Sequence, residues 1–73
     1  MRENPDPGYL PRLKRAIFDL PRLQREIFLA SRFGGLAYVE IGHRTGLTPQ
    51  EVEQELAKAI WTLEREMSRH RPE

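Results

Sequence analysis

The apolar positions of this chain fall into four blocks, each spaced at three and four residues and separated from the next by glycine or proline. The last block is the longest. At about 100° per residue, Val52, Leu56, Ala59, Ile60, Leu63 and Met67 gather on one face of a helix predicted from Pro49 to about Arg69. Gln50, Gln54, Lys58, Trp61 and Arg65 gather on the opposite face. Its start carries three agreeing signals. Thr48 can cap the free N–H groups, Glu51 stands three residues on as in a capping box, and Pro49 occupies the first helical position, where a missing N–H costs nothing. Thr45-Gly46-Leu47 precedes it as a tight turn, in which Gly46 can take the positive φ that ends a helix. A short helix from about Tyr38 to Arg44 comes before the turn. Ile41, with Val39 or Tyr38, supplies its apolar contacts, and Gly42 leaves room for the second helix to approach closely. Short helix, tight turn and long helix together have the layout of a helix-turn-helix unit, whose second helix enters the DNA major groove.

Two further helices are predicted upstream. Pro11 opens one that runs through about Asp19, with Leu13 and Ile17 on its apolar face, extended by Phe18 and Leu20. Asp19-Leu20-Pro21 starts the next, with Pro21 in its first turn and Leu23, Ile27, Phe28, Leu29 and Ala30 along the buried stripe. Gly34-Gly35 breaks it after Phe33. Pro11-Arg-Leu-Lys-Arg-Ala-Ile-Phe18 and Pro21-Arg-Leu-Gln-Arg-Glu-Ile-Phe28 share six residues in register. One such pair reads as two helices with the same start signal, too little for a solenoid. The expected architecture is all-α: a small four-helix domain over residues 9–69 containing the helix-turn-helix. A flexible arm over 1–8, with two prolines, a glycine and an asparagine, precedes it, and a frayed end over 70–73 follows.

Composition narrows the chemistry. Seventy-three residues suffice for one small domain. With no cysteine there is neither a disulfide framework nor a thiolate metal site, and His43 and His70 stand too far apart for ligand spacing. No Gly-rich phosphate loop and no set of nucleophile, base and oxyanion donor can be assembled, so neither a cofactor, a small-molecule substrate nor an enzyme is expected. No apolar run spans a bilayer and no signal peptide is present, which makes the cytoplasm the default location. The net charge of +1 does not announce a nucleic-acid binder, but its distribution is uneven. Residues 1–47 carry eight Lys/Arg against five Asp/Glu, and residues 48–73 four against six.

A family resemblance rests on particular runs. Leu20-Pro21, Gln24-Arg25, Ile27-Phe28-Leu29, then Gly35-Leu36-Ala37-Tyr38 with Glu40-Ile41-Gly42, then Thr45-Gly46-Leu47-Thr48 with Val52, Leu56 and Ala59, resemble region 4 of sigma-70 family factors. The extracytoplasmic-function group is the most similar. The resemblance covers about Leu10 to Met67. It implies that the second helix of the motif binds the −35 element of a bacterial promoter in double-stranded DNA. It implies also that an apolar surface of the first helices, with Leu23 and Ile27, docks on the flap of the RNA polymerase β subunit, or is masked by an anti-sigma protein. No counterpart of region 2 is present in these residues, so the chain reads either as an excised domain or as a stand-alone sigma-like protein.

On this reading Gln50, Gln54 and Lys58 are the groove-side candidates, with Thr48, His43 and Arg44 near phosphates. Gln can read adenine, and basic side chains and helix N-termini favour phosphate. His43 and Arg44 also suit the negative end of the first motif helix. Trp61, opposite the core, is either an interface anchor or covered by helix one or the arm. The Arg12, Lys14, Arg15, Arg22, Arg25 and Arg32 set reads as a solvated face. One departure from the family stands out. Residues 50–57 hold three carboxylates and no base, where the family favours Lys, Arg, Ser and Thr. Glu51 is explained by capping. Glu53 and Glu55 are expected to lie off the apolar stripe and to limit DNA affinity, which opens a second reading as a sigma-like protein-interaction module with weakened DNA binding. Ala37, in place of a polar residue, removes a side-chain cap from the first motif helix.

Overall fold

Everything in the fold is arranged around the last helix, because its apolar stripe is too long for any one neighbour to cover. The computed structural model describes residues 8–69, which form four helices and, among themselves, no strand. They are α1 (Tyr9–Phe18), α2 (Arg22–Arg32), α3 (Tyr38–Thr45) and α4 (Pro49–Ser68). The α4 helix packs against each of the other three, and α3 also packs on α2. The arm expected at 1–8, save Gly8 at the start of α1, and the frayed end expected at 70–73 lie outside the described residues.

Two apolar clusters share α4 between them. Its first half buries Val52 and Leu56 against Ile27 of α2 and Ile41 of α3, with Leu36 and Leu47 packed at the edge. Its second half buries Ala59 and Leu63 against Ala16, Ile17 and Leu20, with Leu13 alongside. Phe28 packs on both clusters and joins them. The three largest side chains that lose all contact with water are Ile27, Ile41 and Val52, so the deepest point of the core lies behind the turn.

The near-repeat ends up in two different settings. Pro11 is the third residue of α1, where the N–H groups have no intrahelical partner and a missing donor is harmless, so the helix begins at Tyr9 rather than at the proline. Pro21 instead sits outside α2 as its N-cap residue. Ile17 and Ile27 are both buried, but Phe18 is 67% exposed, while Phe28 is half-buried between the clusters. Phe18 therefore does not extend the apolar face of α1, and Leu29, 37% exposed, does not join that of α2. Ile60, Met67 and Leu47 are half-buried rather than enclosed.

The turn is held by backbone geometry. Gly46 closes α3 with φ +80° in the left-handed region. The N–H groups of both Gly46 and Leu47 donate to the carbonyl of Gly42, at 2.8 and 3.2 Å. Gly42 itself faces the carbonyl oxygen of Leu47 so closely that a Cβ there would collide with it. The close approach expected at Gly42 is thus made by the turn, not by the second helix. Tyr38 and Val39 are 37% and 54% exposed, which leaves Ile41 as the deep contact of α3. The Thr45 hydroxyl donates to the Ile41 carbonyl at 2.8 Å and completes the last turn.

Two outcomes are expected from unfolding measurements. Alanine in place of a helical glycine normally stabilises by about 0.5–1 kcal/mol. Gly42→Ala should reverse that sign and destabilise by about 1–3 kcal/mol, because backbone rather than a flexible side chain must give way. Leu56→Ala should lose about 2–5 kcal/mol, enough to unfold a domain of this size. A thermal midpoint unchanged or raised by Gly42→Ala would contradict the turn geometry.

Candidate nucleic-acid interface

The turn fixes how α4 is presented. Thr48 and Glu51 form the reciprocal box that the sequence predicts. The Thr48 oxygen accepts from the Glu51 N–H at 3.1 Å, and the Glu51 carboxylate accepts from the Thr48 N–H at 2.9 Å. The Thr48 hydroxyl proton remains a donor. Helix α3 has half of such a box: Glu40 accepts from the Ala37 N–H at 3.2 Å, and the Ala37 methyl offers nothing in return. His43 and Arg44, both exposed, end α3 just before the turn, and exposed Thr48 follows it. The structure thus brings these three to the same corner as the start of α4.

From there the outward face of α4 runs for the length of the helix. Taking Val52 as the inward direction, about 100° per residue places Gln50, Gln54, Lys58, Trp61 and Arg65 within about 60° of the directly opposite line. All five are exposed. Four of the five α4 carboxylates lie farther round than this, and Glu64, about 60° from the opposite line on the side away from Lys58, borders the stripe. Glu51 turns back to its cap. Glu55, expected to be off the packed surface, is not a free surface acid: its side chain is only 23% exposed. It accepts from the Gln24 amide of α2 at 3.4 Å and from Lys58 at 3.3 Å. Glu53 and Glu64 are exposed on the other flank. The signal for the Glu55 tie was in the sequence, since about 60° from the core direction is a boundary position. Gln24, its partner, could not be found from spacing within either helix.

The residues expected to contact protein do not form one surface. Ile27 is wholly buried among α2, α3 and α4, so it supports the core and cannot touch a partner docked on the folded domain. Leu23 is 38% exposed on α2. Trp61 is 59% exposed on the outward stripe of α4, where the guanidinium of Arg65 lies 4.8 Å from its ring centroid. The basic set of α1 and α2 is drawn into local contacts. Arg15 pairs with Asp19 at 4.0 Å, Arg22 with Glu26 at 3.0 Å, and Arg25 donates to the Phe18 carbonyl at 3.0 Å. Exposed pairs of this kind are worth about 0–1 kcal/mol and leave a solvated face.

The sequence model of the family described as Sigma-70, region 4, matches residues 10–63. The chain belongs to that family. Searches of curated proteins and of solved structures gave no match. Region 4 domains serve sigma-factor transcription through DNA and RNA polymerase and are not enzymes as a family. The matched span of this region 4 ends at Leu63, the last buried residue of α4, and so takes in the turn and most of the outward stripe. Among the described residues no group of His, Asp or Glu is placed to hold a metal ion, and no helix is long and apolar enough to cross a membrane.

The different settings of the two acids can be checked by substitution. Glu55→Ala should lower stability by about 0.5–1.5 kcal/mol through the lost tie to Gln24, whereas Glu53→Ala should stay within about 0.5 kcal/mol of the parent in chemical denaturation. Equal effects would remove the distinction.

Proposed function

We propose that this region 4 domain, with residues 9–69 as its folded unit, acts in the bacterial cytoplasm by reading a −35-like promoter element through α4. One observation carries the reading. The outward stripe of α4 bears amides, a lysine and an arginine, and of its acids Glu51 and Glu55 are occupied within the fold, which leaves Glu53 and Glu64 exposed at its border. Laid in a major groove, that stripe offers Gln50 and Gln54 to base edges, where an amide can pair bidentately with adenine. Lys58 reaches the phosphate rim, and Thr48, His43 and Arg44 flank the turn that would straddle the backbone. Glu53, exposed beside the stripe, opposes the phosphate attraction and lowers affinity without abolishing it.

Contact with RNA polymerase, through its β flap, or with an anti-sigma protein is a second activity of the same domain rather than a replacement for the first. The support is the apolar side chains left at the surface on and around α2: Phe18, Leu23, Leu29 and Phe33 are exposed by 67%, 38%, 37% and 73%. Phe33 is stacked edge-on against Phe28, with ring centroids 6.4 Å apart, which ties this surface to the core.

Duplex titrations at two salt concentrations test the reading. Gln54→Ala with Lys58→Ala should weaken binding to a promoter fragment and lower the slope of log K against log salt by about 0.9 for the lost lysine. Glu53→Lys should raise affinity for mixed-sequence duplex and steepen the slope, with the fold unchanged. If the double variant binds as the parent does, α4 does not enter the groove by this face.

A further inference from the structure

Trp61 has no explanation in the core, and the base-reading residues of the stripe do not use it. Its surroundings are specific. It stands 11 residues after Gln50, three helical turns further along the same outward line, at a distance of about 16 Å, and Arg65 lies about 22 Å from Gln50. The major groove is about 12 Å wide. With Gln50 and Gln54 at base edges, a 20-residue helix must emerge from the groove before it ends, and Trp61 and Arg65 then face the sugar-phosphate rim. In homeodomains the C-terminal end of the recognition helix likewise contacts the backbone.

The chemistry at that place suits a phosphate. Among the described residues Arg65 has no carboxylate within ion-pair distance, while its neighbours Lys58 and Arg69 are paired with Glu55 and Glu66 at 3.3 and 3.2 Å. Its guanidinium rests over the indole, 4.8 Å from the centroid, a stacking that restricts its rotamers and does not use the N–H groups at the guanidinium edge. The indole Nε1–H is a further donor without acceptor capacity. The two lie beside an open slot lined also by Glu64, Ser68 and Arg69. Glu64 stands about 60° round the helix from Trp61, on the side away from Lys58, so its carboxylate borders the slot and opposes the phosphate that the two donors attract. We infer that Trp61 and Arg65 form a clamp on a backbone phosphate of duplex DNA outside the base pairs that α4 reads. The clamp adds sequence-independent grip, and it offsets part of the repulsion from Glu53. This inference rests on the promoter-reading function proposed above.

The chain's single tryptophan gives a direct readout. The full chain is titrated with a 30-bp mixed-sequence duplex and with a duplex selected by the parent from a random library, following Trp61 emission and the anisotropy of labelled DNA. The emission should change on binding to both. Arg65→Ala and Trp61→Ala should each weaken both duplexes by the same factor, about three- to tenfold. Arg65→Ala should also reduce the salt slope by about one. Gln54→Ala should instead change the ratio between the two duplexes. Both clamp residues are exposed, so thermal unfolding should match the parent's and exclude a folding defect. Parent binding with unchanged emission, or unaltered affinity in both variants, overturns the clamp and leaves promoter reading intact. Loss of binding to a polymerase flap fragment alone overturns it too, and makes the pair a protein contact. If the parent binds neither duplex, promoter reading falls first and the clamp with it.

Discussion

Burial of one stripe on α4 is the constraint on which the other elements depend. Val52, Leu56, Ala59 and Leu63 are spread over three turns, and no single short helix can cover that length. Helices α2 and α3 take the first half and α1 the second, and Phe28 keeps the two halves from being separate small cores. Each cluster alone would bury little, since a chain of this size has a high surface for its volume. The consequence for function is direct. A helix anchored on one side by three neighbours presents its other side as a rigid, regular row of side chains, and Gly42, Gly46 and the Thr48–Glu51 box fix where that row begins.

The acids of α4 show how the same anchoring changes the meaning of a sequence. Read along the chain, Glu51, Glu53 and Glu55 are three adjacent negative charges on a helix offered to a polyanion. In the structure they have three different positions. Glu51 is spent on the cap, Glu55 is drawn toward α2 by Gln24 while also holding Lys58, and Glu53 alone stands free beside the stripe. Repulsion from phosphate scales with charges that face it, so of these three acids the count that matters is one at the border rather than three facing, with exposed Glu64 a second farther along the helix.

Much of this was legible in the sequence. The four helices, the turn at Gly46, the capping box and the division of α4 into two faces all follow from local signals: spacing, a glycine, a proline and a hydroxyl. What escaped has a common cause, namely that it depends on contacts between helices. Period alone puts Phe18 and Phe28 in equivalent places, and only packing leaves one exposed and the other half-buried between the clusters. Ile27 lies on the stripe read as buried, and α3 and α4 enclose it so fully that the protein contact the resemblance implied for it is closed off. Gly42 was correctly read as a close approach, but the partner, the Leu47 carbonyl, is set by the path of the turn. The Gln24–Glu55 bond joins residues 31 apart, beyond any helical periodicity.

The central claim is that α4 meets DNA along the stripe from Gln50 to Arg65. Amide chemical-shift mapping of the isotopically labelled chain, titrated with a short duplex at low salt, tests it most directly. The account predicts that the largest shifts follow His43, Arg44, Thr48, Gln50, Gln54, Lys58 and Trp61, with α1 and the exposed side of α2 unmoved. Shifts concentrated on Arg12, Lys14, Arg22 and Arg32, with the α4 stripe silent, would contradict it.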